Sequence, residues 1–248
     1  MKTKHAKVVV ENLSKSYGSL LVLDDISFTV GDGEFLCIVG PTGCGKTTFL
    51  NSLTKIVPID SGTIRIDGEP VDPKKHNLAY ILQEYSALPW LTVEKNIAYG
   101  LKIKGFDKAV IKERVAEAIA LVNLEKFKHF YPSELSASML QRVVIARAFA
   151  TQPDLLLMDE PYGQLDLNLK YKLEDELLKL WEKTRTTIIF ITHNIEEAVY
   201  LSDRILIMTN KPSGVKTELI NDLPRPRRVS DPKFIELRNQ VTDLIKWW

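Results

Sequence analysis

The stretch "EFLCIVGPTGCGKTT" (Glu34–Thr48) restricts the fold of this chain more than any other segment. An apolar run ends in a glycine-rich loop, and the loop opens a helical pattern. Gly40, Gly45, Lys46 and Thr47 satisfy G-x-x-x-x-G-K-[ST]. Glycines let backbone N–H groups close around a polyphosphate without Cβ clashes. A helix N-terminus adds a favourable dipole there. The whole loop, Gly40, Pro41, Thr42, Gly43, Cys44, Gly45, Lys46, Thr47 and Thr48, is expected to hold nucleotide phosphates. Lys46 would bridge β- and γ-phosphate oxygens, and the Thr47 hydroxyl would ligate Mg2+.

Such a loop needs a buried parallel sheet behind it, and the rest of the sequence supplies one. "EFLCIVG", "LAYILQ", "DLLLMD", "TIIFIT" and "RILIMT" are continuous apolar runs suited to strands buried on both faces. Helical patterns lie between them at 46–56, 108–122, 139–150, 168–183 and 195–201. This alternation predicts an α/β core. "KVVVENL", "LVLDDISFTV" and "TIRIDG" read instead as antiparallel strands bounded by Asp-Gly turns. Residues 92–135 lack strand runs and predict an inserted helical lobe. "DLPRPRRVSDP" (Asp222–Pro232) reads as an exposed linker. Beyond it, Ile235, Val241, Leu244, Ile245 and Trp248 fall at helical spacing and predict a docked amphipathic helix.

Composition narrows the function classes. Lys+Arg 33 against Asp+Glu 32 gives formal net charge +1, so no global field favours nucleic acid or an anionic membrane surface. The two cysteines, Cys37 and Cys44, form neither a zinc signature nor a redox pair. "MKTKHAKVVV" lacks an apolar targeting core, and no run reaches the roughly 18 apolar residues of a membrane span. A membrane role would then come through a partner.

Further candidate residues follow strand ends. Asp159 closes "DLLLMD" and would hold Mg2+, and Glu160 would polarise an attacking water. Gln83 ends "LAYILQ" and would touch Mg2+ or that water. His193 follows "TIIFIT" at the sheet edge where ligands bind in open α/β folds, within reach of a γ-phosphate. Tyr17, in "SKSYG", offers a ring on which adenine could stack.

Taken in order, Tyr17, Gly40–Thr48, Gln83, Leu135–Arg142, Asp159–Glu160, "GQLD" and His193 resemble the nucleotide-binding subunit of an ABC transporter across nearly the whole chain. "ALPWLTVEKNIAYGL" and "RPRRVSDPKF" are similar to the importer branch for nitrate, sulfonate and taurine. The resemblance implies a P-loop NTPase core over residues 1–221 with an antiparallel β subdomain and a helical subdomain inserted at about 92–150. Residues 222–248 would form the linker and terminal helix. It implies ATP hydrolysis with Mg2+ in a head-to-tail pair with a second ATPase subunit, alike or different. Two transmembrane permease subunits, docked near the Gln83 loop and helical lobe, and an extracytoplasmic solute-binding protein would complete the transporter. The chain would sit peripherally on the cytoplasmic face of the membrane.

One stretch departs from the family pattern. In "LSASMLQR" (Leu135–Arg142), Ala137 and Ser138 stand where the family has two glycines. Ser136 and Ser138 would face the partner's γ-phosphate. A positive φ there would cost about 1–2 kcal/mol per replaced glycine. Ser138 to Gln141 also matches a capping box, in which Ser138 would occupy helix N–H groups that a phosphate could use. The other reading is that its hydroxyl simply donates to the phosphate. Gln164 and Asn194 are smaller departures, standing where Ala and Asp are usual. Two alternatives therefore accompany the importer: a subunit with a weakened signature side in an asymmetric ATPase heterodimer, and a non-transport ABC ATPase.

Overall fold

The computed structural model describes residues 5–84, 86–163 and 165–245. Gln164 and Trp248 lie outside them, as do residues 1–4 of the N-terminal stretch. The chain runs β1 (Ala6–Tyr17), β2 (Leu20–Gly31), β3 (Phe35–Val39), α1 (Lys46–Leu53), β4 (Ser61–Ile66), β5 (Glu69–Pro70) and β6 (Leu78–Ile81). Then come α2 (Val93–Ile103), α3 (Lys108–Leu121), α4 (Ala137–Ala150), β7 (Leu155–Asp159) and α5 (Leu167–Thr184). The chain closes with β8 (Thr187–Thr192), α6 (Ile195–Leu201), β9 (Arg204–Met208), β10 (Val215–Ile220) and α7 (Pro232–Ile245). Two compact units form, one from 5–76 with 187–245, the other from Asn77–Thr186.

The first unit holds the antiparallel sheet β2-β1-β4-β5, with Val8, Val10, Leu13, Ile26, Val30 and Ile66 turned inward. Its alternating burial matches the period of two that the sequence carries. Beside it runs β10-β9-β3-β8. Here β3 lies parallel to both β8 and β9, and every β3 and β8 residue is buried. Strands covered on both faces must be apolar throughout, which is why these runs show no alternation. Cys37 is among them, and burial pushes its thiol pKa well up, leaving an inert packed group. β10 is a half-exposed strand on the end of this order, "VKTELI", whose charged alternate residues kept it from standing out in the sequence.

The second unit pairs β6 with β7 in parallel, Ile81 opposite Met158. Helices α2, α3 and α4 close a core of Val93, Ile97, Leu101, Ile119, Val143 and Ala146. On α5, Leu173, Leu177 and Trp181 recur at helical spacing and are buried.

Three expectations need correction. Helix α1 stops at Leu53 rather than near Ile56, and Lys55 takes φ 57, a left-handed turn that ends the helix. Helix α4 starts at Ala137, two residues before the sequence pattern suggests. The Pro/Arg-rich stretch is exposed at Asp222, Pro224, Pro226 and Arg228, yet it is anchored: Arg227 is 6% exposed and donates to carbonyls of Val199, Tyr200 and Ser202 at 2.7–2.9 Å. Backbone acceptors at the end of α6, invisible to composition, draw the guanidinium inward. Burial, with Arg225 nearby, holds its pKa down to about 10.

The terminal helix α7 docks on α6 and β9, burying Phe234 and Val241. Ile235, Leu244 and Ile245 remain half-exposed. Among the described residues no helix is long and apolar enough to cross a membrane.

Candidate functional site

In the first unit, the loop from Gly40 to Gly45 leaves the end of β3. Gly43 (φ +77) and Gly45 (φ +120) adopt backbone that side chains avoid, and a Cβ on Gly45 would come within 2.9 Å of Val22 and Leu23. Gly45 is also the N-cap of α1, and no side chain caps that helix. A helix start of this form, with first-turn N–H groups that no side chain caps, is the kind that suits an anion. Lys46 is 5% exposed, and its ammonium donates to Gly40 O and Pro41 O at 3.0 Å each. Two of its three donors thus hold the loop in its curve. Cys44 is buried and its amide donates to Pro41 O, whereas Thr42, Gly43 and Thr47 are exposed.

Val39 pairs with Thr192 in the β3–β8 ladder. Gly40 and His193 therefore leave neighbouring strand ends, about 4.8 Å apart in the pairing direction. His193 is exposed. The turn that carries it is tied on both sides. Asn194 caps α6 by accepting from the Glu196 and Glu197 amides (2.9 and 3.2 Å), and its own amide donates to Thr192 Oγ1 at 2.9 Å. Thr192 Oγ1 also bonds the buried Glu197 carboxylate. Asn194 thus fills the cap position as Asp would, with Glu196 and Glu197 in the first turn of α6.

Tyr17 ends β1 and is 48% exposed. The Lys15 ammonium lies 5.5 Å from the ring centroid and pairs with Asp60 at 2.9 Å. Hydrogen bonds from Lys15 and the Ser16 amide hold the Asp60 carboxyl below its usual pKa.

In the second unit, Asp159 closes β7 at 4% exposure. The Tyr80 hydroxyl donates to its Oδ2 at 3.5 Å, and burial together with the Asp159 charge pushes the Tyr80 pKa up, so the phenol stays a donor. Glu160 follows with φ 45, a left-handed conformation unusual for a glutamate, stabilised as its carbonyl accepts from Gly163 N at 3.1 Å. That twist turns Glu160 off the strand direction. Gln83 stands two residues beyond Ile81 and is exposed. Since Ile81 pairs with Met158, Gln83 and Glu160 leave adjacent strand ends in step.

The signature stretch takes a different form from that expected. Ser136, not Ser138, is the N-cap of α4: its Oγ accepts from Met139 N at 3.4 Å. Ala137 and Ser138 are the first two helical residues, and neither has positive φ. The backbone cost expected for the lost glycines does not arise. Ser138 Oγ lies 3.2 Å from Ser136 Oγ, and Gln141 is buried rather than reaching back to a cap.

Sequence reasoning missed Asn96. Its fully buried carboxamide donates to the carbonyls of Leu88, Leu91 and Thr92 and accepts from Leu88 N at 2.7 Å. It staples the turn after Gln83 to α2. A single asparagine on an otherwise apolar helix face was the available signal.

A family model described as ABC transporter matches residues 23–163. This chain belongs to the ABC transporter family. The ABC chain is 43% identical over 233 residues to an aliphatic sulfonates import ATP-binding protein, SsuB, of Bacillus cereus, covering 94% of this chain and 92% of that one. It is 39% identical over 244 residues to an uncharacterized ABC transporter ATP-binding protein of Methanocaldococcus jannaschii, covering 97% and 91%. Among solved structures, the dimeric ABC transporter cassette MJ0796 superposes with TM-score 0.76 at 27% identity, covering 88% of this chain and all of that one. A post-hydrolysis dimer of the same cassette with ADP and Pi gives TM-score 0.75 at 28% identity. The protein is an ATP-binding subunit of the ABC type, akin to the sulfonate-import branch, and an ATPase.

Proposed function

We propose that this subunit hydrolyses ATP to drive import of a small sulfonate-like solute. The observation that carries the substrate class is the 43% identity, over 94% of the chain, to a protein named for aliphatic sulfonate import. In this reading Tyr17 stacks on adenine and the N–H groups of Gly40–Thr48 surround the phosphates. Lys46 turns from its loop carbonyls to the β- and γ-phosphates. Glu160 accepts a proton from the attacking water, while His193 and Gln83 contact the γ-phosphate end. Ser136 and Ser138 offer hydroxyls to the nucleotide of a second ATPase subunit.

Thr47 in the first unit, and Asp159 and Gln83 in the second, each offer an oxygen donor of the kind a hard cation such as Mg2+ takes. The buried Asp159 carboxyl accepts from the Tyr80 phenol on Oδ2. When bound, Mg2+ would neutralise phosphate charge.

Two permease subunits would dock on the second unit, where Trp90 (69% exposed) offers apolar surface in the segment that follows Gln83. An extracytoplasmic binding protein would deliver solute, and the subunit would work from the cytoplasmic face of the membrane. Sulfonate uptake in cells lacking this chain, and in cells restored with Glu160→Gln, tests the proposal. Both should lose uptake, and the purified variant should retain ATP without turning it over. Uptake that survives deletion would reject the substrate class, and full turnover by Glu160→Gln would reject its role as base.

A further inference from the structure

We propose that Arg227 is a positioning residue for His193, acting through α6. The proposal rests on the reading of His193 as a γ-phosphate contact. His193 immediately precedes Asn194, the cap of α6, a helix of seven residues, or about 10 Å. A helix that short has little stability of its own, so its orientation is set by what holds its ends. Asn194 and the Thr192–Glu197 bond hold the N-terminal end.

The C-terminal end is held from the tail. The two hydrogens of Arg227 Nη1 are shared among Val199 O (2.9 Å), Tyr200 O (2.9 Å) and Ser202 O (2.7 Å). Its Nε reaches Leu223 O (3.1 Å) and its Nη2 reaches Asn221 O (3.3 Å). Arg225 takes Leu201 O and pairs with Asp203 at 2.7 Å. Asn221 Nδ2 adds a second bond to Val199 O at 2.8 Å. Four successive carbonyls, Val199 to Ser202, thus each receive a side-chain donor from residues 221–227. These are the acceptors that a helix end leaves unsatisfied, and its dipole favours a cation there. Helix α7 adds to the hold, with Phe234 and Val241 buried and Arg238 3.7 Å from Glu196 on the first turn of α6.

The tail therefore grips α6 at both ends, and α6 carries the cap residue bonded to the His193 turn. Loosening the Arg227 end frees α6 to shift, and the Asn194 cap and the Thr192–Glu197 bond pass that shift to the turn that carries His193. A substitution at Arg227 should act on turnover only when His193 is present.

The test is a double-mutant cycle on the purified full-length chain with Arg227→Gln, His193→Ala and both together. Steady-state kcat and KM for MgATP, equilibrium ATP binding and thermal melting are the readouts. Arg227→Gln is expected to lower kcat by about tenfold or more with ATP affinity changed less than about twofold. In the His193→Ala background the same change should cost less than about twofold. Arg227→Lys, which keeps charge but not the planar fork, should recover part of the loss, and carries the same cycle if the glutamine variant does not fold. Equal losses in both backgrounds, with His193→Ala itself defective, would overturn this inference alone. Full turnover by His193→Ala would overturn the reading of His193, and this proposal with it.

Discussion

Replacing Asn96 tests most directly how the second unit holds the turn after Gln83. Its carboxamide serves four backbone groups, the two amide hydrogens being shared among three carbonyls, and two of those groups, Leu88 N and Leu91 O, have no other partner among the described residues. Leu88 O also accepts from Leu91 N, and Thr92 O also accepts from the Asn96 amide, so those two keep a bond. Asn96→Leu keeps the volume, avoiding a cavity, but orphans one donor and one acceptor. Each orphan costs about 1–3 kcal/mol. Leu88 and Leu91 are half-exposed, so water recovers part, and the sum falls at about 2–4 kcal/mol. For a chain of this size that lowers the melting temperature by about 5–15 °C. Thermal unfolding followed by circular dichroism would measure it, and limited proteolysis should show earliest cleavage at residues 86–91. A melting temperature within about 2 °C of the parent would refute the assignment of Asn96 as the staple.

Three further outcomes follow from the same reasoning. Asn194→Ala should destabilise the first unit by about 1 kcal/mol, while Asn194→Asp stays within about 0.5 kcal/mol, read by urea denaturation. Asp60 should titrate below the ordinary carboxylate range in carboxyl-detected NMR. Its contribution is complete above that range and fades as pH falls through the lowered folded-state value, and Lys15→Met should move the titration back up. Ala137→Gly with Ser138→Gly should lower, not raise, thermal stability, by up to about 1 kcal/mol per site, since both positions are helical. Higher stability in that variant would mean the native turn is strained.

The buried strands, the phosphate loop and the residues at strand ends were legible because each is a local property. A strand covered on both faces must be apolar along its length, and a loop around phosphates must use glycine where φ turns positive, as at Gly43 and Gly45. The signature turn was not legible in the same way. Ser136 and Ser138 both suit a cap, and the choice depends on where the preceding turn, Pro132–Glu134, delivers the chain into α4. The family resemblance suggested a glycine-like backbone there, but Ala137 and Ser138 adopt ordinary helical backbone instead.

The sequence by itself determined the α/β class and the ABC ATPase family, and it marked the candidate residues at the glycine loop and strand ends, because spacing along the chain encodes them. Only the tertiary structure decided the roles of Asn96 and Arg227. Both are polar side chains buried by virtue of backbone acceptors that local pattern does not reveal. For Asn96 these come from the turn just before its helix. For Arg227 they lie 25 to 28 residues back along the chain, at the end of α6. Composition reads an Arg-rich stretch as solvated, but a guanidinium goes inside when folding gathers enough carbonyls to replace its water.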